Sequence, residues 1–358
     1  MSIQRESPGV QRLGRDALRG MAQTVLGLIR PEELGPTLLH EHILVDIRPP
    51  GWKHLKQIGR KITLRNRFFI DYGEVTAPGN CVLDDEGQAA SELADLFESG
   101  GRSVVELSCG GLHPDPHGLR RVAEQSGVHV IMGCGYYVEE YQAEANHSRT
   151  VDDFASEIVD QIQVGAWGAD VRAGIIGEIG CQAPWTALEQ RVMKAAAIAQ
   201  RETGASISVH PGRDPDQPLA VAQFLAREGA DLSRVIISHI DRTIFDDDRL
   251  FRLADTGVVI ELDLFGMESS YYKLNEAIDM PNDGQRIGTI RRLADRGHLG
   301  QIAISQDICY KSRLCCNGGH GYGHIFRNVV PMMRRRDFSD AEIDQILKGT
   351  PARLLTFV

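Results

Sequence analysis

The chain is 358 residues long, 42% hydrophobic and 25% charged, which is typical of a globular protein with a large buried core. Its formal net charge of −10 leaves no excess of Lys or Arg to neutralise a phosphate backbone, so we expect no nucleic-acid partner. No apolar stretch approaches the roughly 20 residues of a membrane span, and the polar, Arg-rich start is unlike a signal peptide, so we expect no membrane partner.

Eight short apolar runs rich in β-branched residues recur along the chain and are predicted as strands. They span residues 37–42, 103–108, 129–135, 174–179, 206–210, 235–239, 258–263 and 302–305. Segments with apolar residues at helical spacing separate most of these runs, such as the one with Val192, Ala195 and Ala199. Strand–helix alternation implies a parallel sheet, and eight units suggest closure. The predicted fold class is therefore α/β, a single (β/α)8 TIM barrel.

Local signals agree with helices between these strands. Ser339 and Glu342 have the spacing of a capping box, and Gly100 and Gly204 stand where helices are expected to end before strands two and five. We assign residues 24–358 to the barrel domain and residues 1–23 to an N-terminal extension.

Two long insertions interrupt the alternation, at residues 48–85 after strand one and residues 266–283 after strand seven. They carry the aromatic residues Trp52, Phe68, Phe69, Tyr72, Tyr271 and Tyr272. Both insertions leave the C-terminal ends of strands, where barrel enzymes build substrate pockets. The aromatic side chains either line such a pocket or pack locally or at a subunit interface, which leaves a homodimer open.

The sequence HEH stands at the end of the first predicted strand. Residues i and i+2 of a strand point to the same face, so His40 and His42 are expected on one side and Glu41 on the other. A lone HxH pair is moderate evidence for a metal site, because such pairs are also found exposed or packed. The position of this pair at a strand end favours a metal site, because four later strands end in the same way.

Those four strands also end in a single potential metal ligand. These residues are Glu178 in AGIIGEIG, His210 in SISVHPG, His239 in VIISHID and Asp307 in IAISQDI. Taken alone, each has another explanation: a salt bridge, a hydrogen-bonded core histidine or a helix cap. Together they matter, because the C-terminal ends of parallel barrel strands meet on one rim. Six imidazole and carboxylate ligands are too many for one tetrahedral ion, so we predict a binuclear metal site there.

The motifs HEH, IGEIG, VHPGR, SHIDRT and SQDI, with GGHGYGHIFRNVVPMM near the C-terminus, resemble the phosphotriesterase-related branch of the amidohydrolase superfamily. The resemblance covers residue 24 onward and is closest to the mammalian-type proteins, some of which are labelled resiniferatoxin-binding. It implies that His40, His42 and Asp307 bind a more buried metal, that His210 and His239 bind a more exposed one, and that Glu178 bridges both. Two divalent ions are implied as cofactors, with zinc the first expectation among metals that accept these ligands.

Departures from the family pattern bear on the substrate. Phosphotriesterases proper bridge the metals with a carboxylated lysine, whereas Glu178 supplies the carboxylate directly here. They also place a histidine after the seventh-strand aspartate, and lactonase relatives usually place an arginine there. This chain has Leu264 after Asp263, which disfavours both chemistries. The relatives that share HPGR and DRT instead imply hydrolysis of amide bonds in small N-acyl amino acids or N-acyltaurines.

The predicted mechanism uses a hydroxide that bridges the two metals, with Asp307 as the catalytic residue that takes its proton and returns it to the leaving amine. Arg213 and Arg242 are candidates for binding an anionic substrate, and a rim salt bridge is the alternative. Tyr136 and Tyr137 are candidates for binding the substrate carbonyl; apolar packing is the alternative.

Two other functions remain open. One is a lactonase or esterase with promiscuous phosphotriesterase activity, and the other is a vanilloid-type ligand-binding protein on a hydrolase fold. In each case the expected partner is a small molecule. The seven scattered cysteines contain no CxxC pair and predict no disulfide framework, so a cytoplasmic location is the simplest expectation.

Overall fold

The computed structural model describes residues 11–52, 61–73 and 75–358 of the chain. The first ten residues of the predicted N-terminal extension lie outside this part, as do residues 53–60 and 74 of the first predicted insertion.

Eight parallel strands form the barrel. In chain order, the strands of the described residues are β1 (Ala22–Thr24), β2 (Gly27–Ile29), β3 (Thr37–Glu41), β4 (Val45–Asp46), β5 (Val82–Leu83), β6 (Ser103–Glu106), β7 (His129–Cys134), β8 (Ile175–Gly180), β9 (Ile207–His210), β10 (Val235–Ile237), β11 (Val259–Leu262) and β12 (Ile302–Ile304). The large sheet has the order β12-β11-β10-β9-β8-β7-β6-β3. Its two edges meet, because the N–H of Asp307 donates to the carbonyl of His40 at 3.2 Å. The predicted TIM barrel is confirmed.

Helices connect and surround the strands. They are α1 (Arg15–Leu18), α2 (Arg67–Gly73), α3 (Glu86–Ser99), α4 (Pro116–Ser126), α5 (Val151–Gln163), α6 (Ala187–Thr203), α7 (Gln217–Arg227), α8 (Asp247–Ala254), α9 (Asp283–Asp295), α10 (Val330–Arg334), α11 (Asp340–Asp344) and α12 (Thr350–Leu355). The capping box of Ser339 and Glu342 opens α11 as predicted. Gly100 and Gly204 end α3 and α6 in the left-handed conformation, with φ of 111° and 76°.

The barrel strands are buried on both faces, as the apolar runs in the sequence predict. Every residue of β3, β6, β8, β10, β11 and β12 is buried. Helices cover one face of a parallel sheet and the closed barrel covers the other, so neither face meets water. A charged or polar side chain at such a position is costly unless it has a partner. The polar residues at the strand ends therefore need an explanation.

The predicted strands agree with the observed ones to within two residues, and the ends differ for a physical reason. His42, His239 and Asp263 were placed inside strands, but they lie just beyond β3, β10 and β11. His239 has a left-handed φ of 57°, and Asp307 after β12 has a φ of 47°. These residues leave the hydrogen-bonded ladder because the chain turns at the point where their side chains are presented.

The N-terminal segment packs against the end of the barrel opposite the strand C-termini. The N–H of Val25 donates to the carbonyl of Val130 in β7, and Ala22 forms a bridge with Thr356. Leu18 of α1 is fully buried. Strand β1 crosses the boundary predicted between residues 23 and 24, so residues 11–23 dock on the barrel. Within the described part of the chain, no helix is both long and apolar enough to cross a bilayer.

Candidate metal centre

The side chains predicted as metal ligands converge on one carboxylate, that of Glu178 at the C-terminal end of β8. Its Oε1 lies 2.6 Å from Nδ1 of His210, 3.0 Å from Nε2 of His239 and 3.4 Å from Nε2 of His40. Its Oε2 lies 4.0 Å from Nε2 of His42. Four imidazoles from the ends of three strands, β3, β9 and β10, thus face one buried carboxylate.

Tight backbone packing makes this approach of Glu178 feasible. A Cβ at Gly177 would lie 2.4 Å from the carbonyl oxygen of Ser208, and one at Gly180 would lie 2.3 Å from the nitrogen of Val138. Any larger residue at either position would push β8 away from its neighbours. The two glycines therefore fix the depth at which Glu178 enters the barrel.

Asp307 completes the set of six. Its Oδ1 lies 3.3 Å from Nε2 of His42 and 3.8 Å from Nε2 of His40. The side chain of Asp307 is 15% exposed, whereas that of Glu178 is 2% exposed. Both carboxylates line the pocket, and Asp307 is the more exposed of the two.

Two further carboxylates contact the nitrogens of His40 and His239 that point away from the centre, here called the outer nitrogens. This role was not predicted from the sequence. Oδ1 of Asp263 lies 2.8 Å from Nδ1 of His239, and Oδ2 lies 3.3 Å from Nδ1 of His40. Oε2 of Glu261 is also 3.3 Å from Nδ1 of His40 and accepts a hydrogen bond from Ser238. A signal existed in the two-residue spacing of Glu261 and Asp263, which places both on one face of the strand end.

The outer nitrogens of the other two imidazoles are held by hydroxyl groups. Nδ1 of His42 is 3.1 Å from Oγ of Ser108, and Nε2 of His210 is 3.4 Å from the hydroxyl of Tyr137. All four imidazoles thus aim one nitrogen at the centre while a neighbour contacts the other. Metal-ligating histidines typically have this arrangement, because the outer contact fixes the tautomer and the ring orientation.

The donor set fits divalent metal ions. Nε2 of His40 is buried and has no hydrogen-bond partner among the described residues. Nδ1 of His210 and Nε2 of His239 lie 2.8 Å apart while both face Glu178. In three groups of three residues, the potential ligand atoms all lie within 4.8 Å of one another. One group is His40, His239 and Asp263; the other two are His40, His42 and Glu178, and Glu178, His210 and His239. Imidazole with carboxylate is a ligand set of zinc and similar ions, and Glu178 is shared by the last two groups.

The electrostatics of the centre also suit cations. Burial alone would raise the pKa of Glu178, but His210 and His40 beside it hold that pKa well below its usual range. The pKa of Asp263 is likewise lowered, because His239 and His40 outweigh the effect of burial. Burial lowers the pKa of His210 to about 3.

Glu41 faces away from the centre, as the strand period predicts, but it is fully buried. Its carboxylate accepts hydrogen bonds from the hydroxyl of Ser305 at 2.8 Å and from the N–H groups of Gln306 and Ile308 at 2.9 Å. Burial raises its pKa to about 7. Glu41 thus fixes the turn after β12 that presents Asp307.

The centre opens into a pocket of about 990 Å³, a volume that includes space open to solvent. The second predicted insertion contributes Met267, Tyr271 and Tyr272 to the lining, and the first contributes Arg67 and Asp71 of α2. The prediction that the insertions help to build the pocket is therefore confirmed.

The aromatic residues of the first insertion lie outside the lining of this pocket. Phe68 and Phe69 are 65% and 67% exposed, and Trp52 and Tyr72 are also exposed. The ring of Tyr72 stacks on that of Tyr271 with 4.5 Å between centroids. The side chains of Phe68, Phe69 and Tyr72 form an exposed aromatic surface beside the pocket mouth.

The sequence model of the Phosphotriesterase family matches residues 20–355. This chain belongs to the phosphotriesterase family. As a member of that family with an assembled set of metal ligands, it is a metal-dependent hydrolase, and the resemblance proposed from the sequence motifs is confirmed.

Individual relatives in the phosphotriesterase family are similar over nearly their whole length. The chain is 40% identical to the N-acetyltaurine hydrolase of Xenopus tropicalis, with 95% of this chain and 99% of the relative covered. It is 37% identical to a phosphotriesterase-related protein of Nematostella vectensis, with 94% and 99% covered. A crystal structure of a resiniferatoxin-binding protein from Rhodobacter sphaeroides is similar with a TM-score of 0.88 and 31% identity, over 98% of both chains.

Of the four residues predicted to bind substrate, Arg213, Arg242 and Tyr137 line the pocket of this phosphotriesterase-family member. Tyr136 does not, and its position does not support that role. The Tyr136 hydroxyl donates to Glu157 at 3.0 Å and accepts from Arg149 at 2.8 Å, outside the pocket lining. Consecutive residues at a strand end point to opposite sides, so Tyr136 and Tyr137 cannot act as a pair.

The pocket contains two further residues of note: one was not predicted from the sequence, and the sequence left the role of the other undecided. Arg313 lines the pocket, is 7% exposed, and follows β12 in a short turn that carries no sequence signal of its own. His320 of the GGHGYGH motif also lines the pocket, whereas His324 lies 2.7 Å from Asp283 and is not among the lining residues. The spatial role of a loop residue depends on how the loop folds, which no residue spacing predicts.

Proposed function

We propose that this chain hydrolyses the amide bond of small N-acyl amino acids or of N-acyltaurine-like substrates. The observation that carries the proposal is the 40% identity to an N-acetyltaurine hydrolase over 99% of that relative. The pocket combines a hydrolytic centre with arginines that suit an anionic substrate.

We further propose the assignment of each ligand. His40, His42 and Asp307 would hold one ion, His210 and His239 the other, and Glu178 both; zinc is the first expectation. The distances around Oε1 of Glu178 and Oδ1 of Asp307 support this division. When bound, two divalent ions supply Lewis acidity and a hydroxide nucleophile at neutral pH.

In this proposal, Asp307 moves the proton. Burial raises the pKa of Asp307, but the hydrogen bond with His42 and the charges of His239 and His40 lower it overall, so the carboxylate can accept a proton. Its exposure toward the pocket lets it take the proton of the attacking nucleophile and deliver it to the leaving amine nitrogen as the C–N bond breaks.

The roles of Tyr137 and Arg242 follow from their contacts. If Nδ1 of His210 binds metal, Nε2 carries the proton and can donate to the hydroxyl of Tyr137, 3.4 Å away. Arg242 donates to the carbonyls of Pro211 at 3.1 Å and Gly212 at 3.5 Å, which fixes the turn after His210. Both residues therefore position His210, the proposed metal ligand. Arg213 is the remaining residue that can bind the anionic end of the substrate.

A lactonase or esterase remains the second candidate, because the same centre would attack an ester. Leu264 argues against it. Its side chain is buried and lines the pocket next to Asp263, where it can neither donate nor accept a proton. A vanilloid-binding role is the third candidate, raised by the related resiniferatoxin-binding protein.

A substrate screen on metal-quantified protein tests these candidates. N-acetyl and N-propionyl amino acids and taurine would be compared with lactones and aryl phosphotriesters. We expect turnover of anionic N-acyl substrates at two metals per chain. Turnover confined to lactones or esters would favour the second candidate, and binding of a vanilloid without any turnover would favour the third.

We also propose a cytoplasmic location and a homodimer. The seven cysteines are free thiols, and five of them are buried, which suits a reducing compartment. The exposed aromatic surface beside the pocket mouth, formed by Phe68, Phe69 and Tyr72, suits an interface between two copies. Equilibrium sedimentation of the purified protein would test the second point.

A further inference from the structure

Five cationic side chains line the pocket, and they differ in their partners. Arg67 pairs with Asp71 at 2.9 Å, and Lys273 pairs with Glu276 at 3.0 Å. The other three, Arg213, Arg242 and Arg313, have no carboxylate within 4.0 Å among the described residues. A cation withdrawn from water without a counter-charge is costly, so a ligand anion is the expected partner of at least one of these arginines.

Arg242 is the least available of the three. Its guanidinium contacts two carbonyl oxygens and the hydroxyl of Thr243 at 3.4 Å. It is 3% exposed. These contacts surround the group with protein atoms, so it acts on the turn after β9.

Arg213 and Arg313 have donors to spare. Arg213 donates from Nε and Nη2 to one oxygen only, the hydroxyl of Tyr272, at 3.2 and 3.0 Å. Arg313 donates from Nη1 to the carbonyl of Asp307 at 2.9 Å and from Nη2 to the sulfur of Met267 at 3.2 Å, a weak acceptor. A guanidinium has five N–H donors, so three on each residue have no acceptor within the described structure.

The two guanidiniums line the same pocket. Arg313 lies over the ring of Tyr310 at 5.1 Å, and Arg213 lies near the ring of Tyr272 at 5.6 Å. Arg313 is anchored to the backbone of Asp307, so this region begins directly beside the hydrolytic centre.

We propose that Arg213 and Arg313 form an anion subsite that holds the sulfonate or carboxylate at the amine end of the substrate. The identity of the anion, though not the existence of the subsite, rests on the proposed amide hydrolysis. One guanidinium satisfies a planar carboxylate by a bidentate contact, whereas a sulfonate has a third oxygen that a second guanidinium can bind. The subsite therefore favours a sulfonate.

The test is calorimetric titration of metal-loaded protein with propane-1-sulfonate and with butanoate, which do not require turnover. We expect the wild type to bind the sulfonate more tightly, and Arg313→Met and Arg213→Met each to weaken sulfonate binding about 10- to 100-fold, the worth of a hydrogen bond to a charged group. Sulfonate binding by Arg313→Lys should be intermediate between that of the wild type and that of Arg313→Met, because lysine keeps the charge but lacks the planar guanidinium.

Lys273→Met is the matched control, since it removes a pocket cation that already has a partner. It should leave sulfonate binding unchanged. Unchanged sulfonate binding in Arg213→Met and Arg313→Lys would overturn the subsite, even if Arg313→Met failed to fold. A protein that binds sulfonate through these arginines but hydrolyses no N-acyl substrate would contradict the proposed function and leave the subsite standing.

In hydrolysis assays the subsite should appear in KM. Arg313→Met is expected to raise KM for N-acetyltaurine and to leave kcat/KM for the neutral analogue N-ethylacetamide within threefold of wild type. An equal loss on both substrates would mean that Arg313 acts only through the backbone of Asp307, and that outcome would contradict the proposal.

Discussion

At the scale of single residues, the two carboxylates of the centre are placed for different work. Both line the pocket, but Glu178 is 2% exposed and faces four imidazoles, whereas Asp307 is 15% exposed. Both were predictable from the sequence as polar residues at the ends of apolar runs. Their difference in exposure was not, because it depends on the left-handed turn at Asp307.

Substitution of Asp307 by Asn should separate its two roles. Asn keeps an oxygen that can face a metal but cannot hold the transferred proton, so we expect kcat to fall at least 100-fold, as is typical of general acid–base groups. Metal content per chain, measured by mass spectrometry of the digested protein, should fall much less. An unchanged kcat would rule out proton transfer by this residue.

Asp263 is expected to act through His239. Asp263→Asn removes the charge that holds Nδ1 of His239 at 2.8 Å, and outer partners of this kind are worth about 10- to 100-fold in metal affinity. Competition with a chelator would measure the loss. The control is Asp255→Asn, which removes an exposed carboxylate 3.4 Å from His298, far from the centre, and should leave affinity unchanged. Equal affinities for both variants would contradict the role of Asp263.

At the scale of elements, the barrel strands were predictable because burial on both faces leaves continuous apolar runs. The content of the turns was not. The turn after β11, which carries Leu264 and Met267 into the pocket, is held by Arg286 of α9, a fully buried residue. Arg286 donates to Asp241 at 2.7 Å and to the carbonyl of Met267 at 3.1 Å. Contacts between residues so distant in sequence follow from tertiary packing alone.

Arg286→Met should therefore destabilise the protein strongly. It leaves Asp241 and Asp283 buried without their cation, and breaking a buried ion pair costs about 3–5 kcal/mol. Arg292 lies on the same helix as Arg286 and forms an exposed ion pair with Asp247 of α8. Arg292→Met should lower the free energy of unfolding by at most about 1 kcal/mol. Denaturant unfolding of both variants measures the difference, and a similar cost for the two would contradict the account of this turn.

At the scale of the whole molecule, the candidate metal centre lies at the C-terminal end of the barrel strands, and the N-terminal segment packs against the opposite end. The closed sheet, the strand order and the rim on which the ligands meet followed from strand–helix alternation. The docking of residues 11–23 did not, because that segment is polar and its burial rests on single apolar residues such as Leu18.

Leu18→Ala tests whether the docked segment contributes to global stability. Removing a fully buried leucine side chain typically costs about 2–5 kcal/mol, so we expect a clear drop in the midpoint of denaturant unfolding. Leu26→Ala, at a position that is 50% exposed, serves as the control and should change stability little. If the two variants unfold at the same denaturant concentration, the N-terminal segment is not part of the cooperative unit.

The central claim is that six residues from five strand ends form one centre that needs two metal ions to hydrolyse its substrate. The most direct test is to strip the protein with a chelator and to titrate a divalent metal back while recording both bound metal and hydrolysis. The account predicts no activity without metal and a maximum at two equivalents per chain. Full activity at one equivalent, or activity that survives complete metal removal, would contradict it.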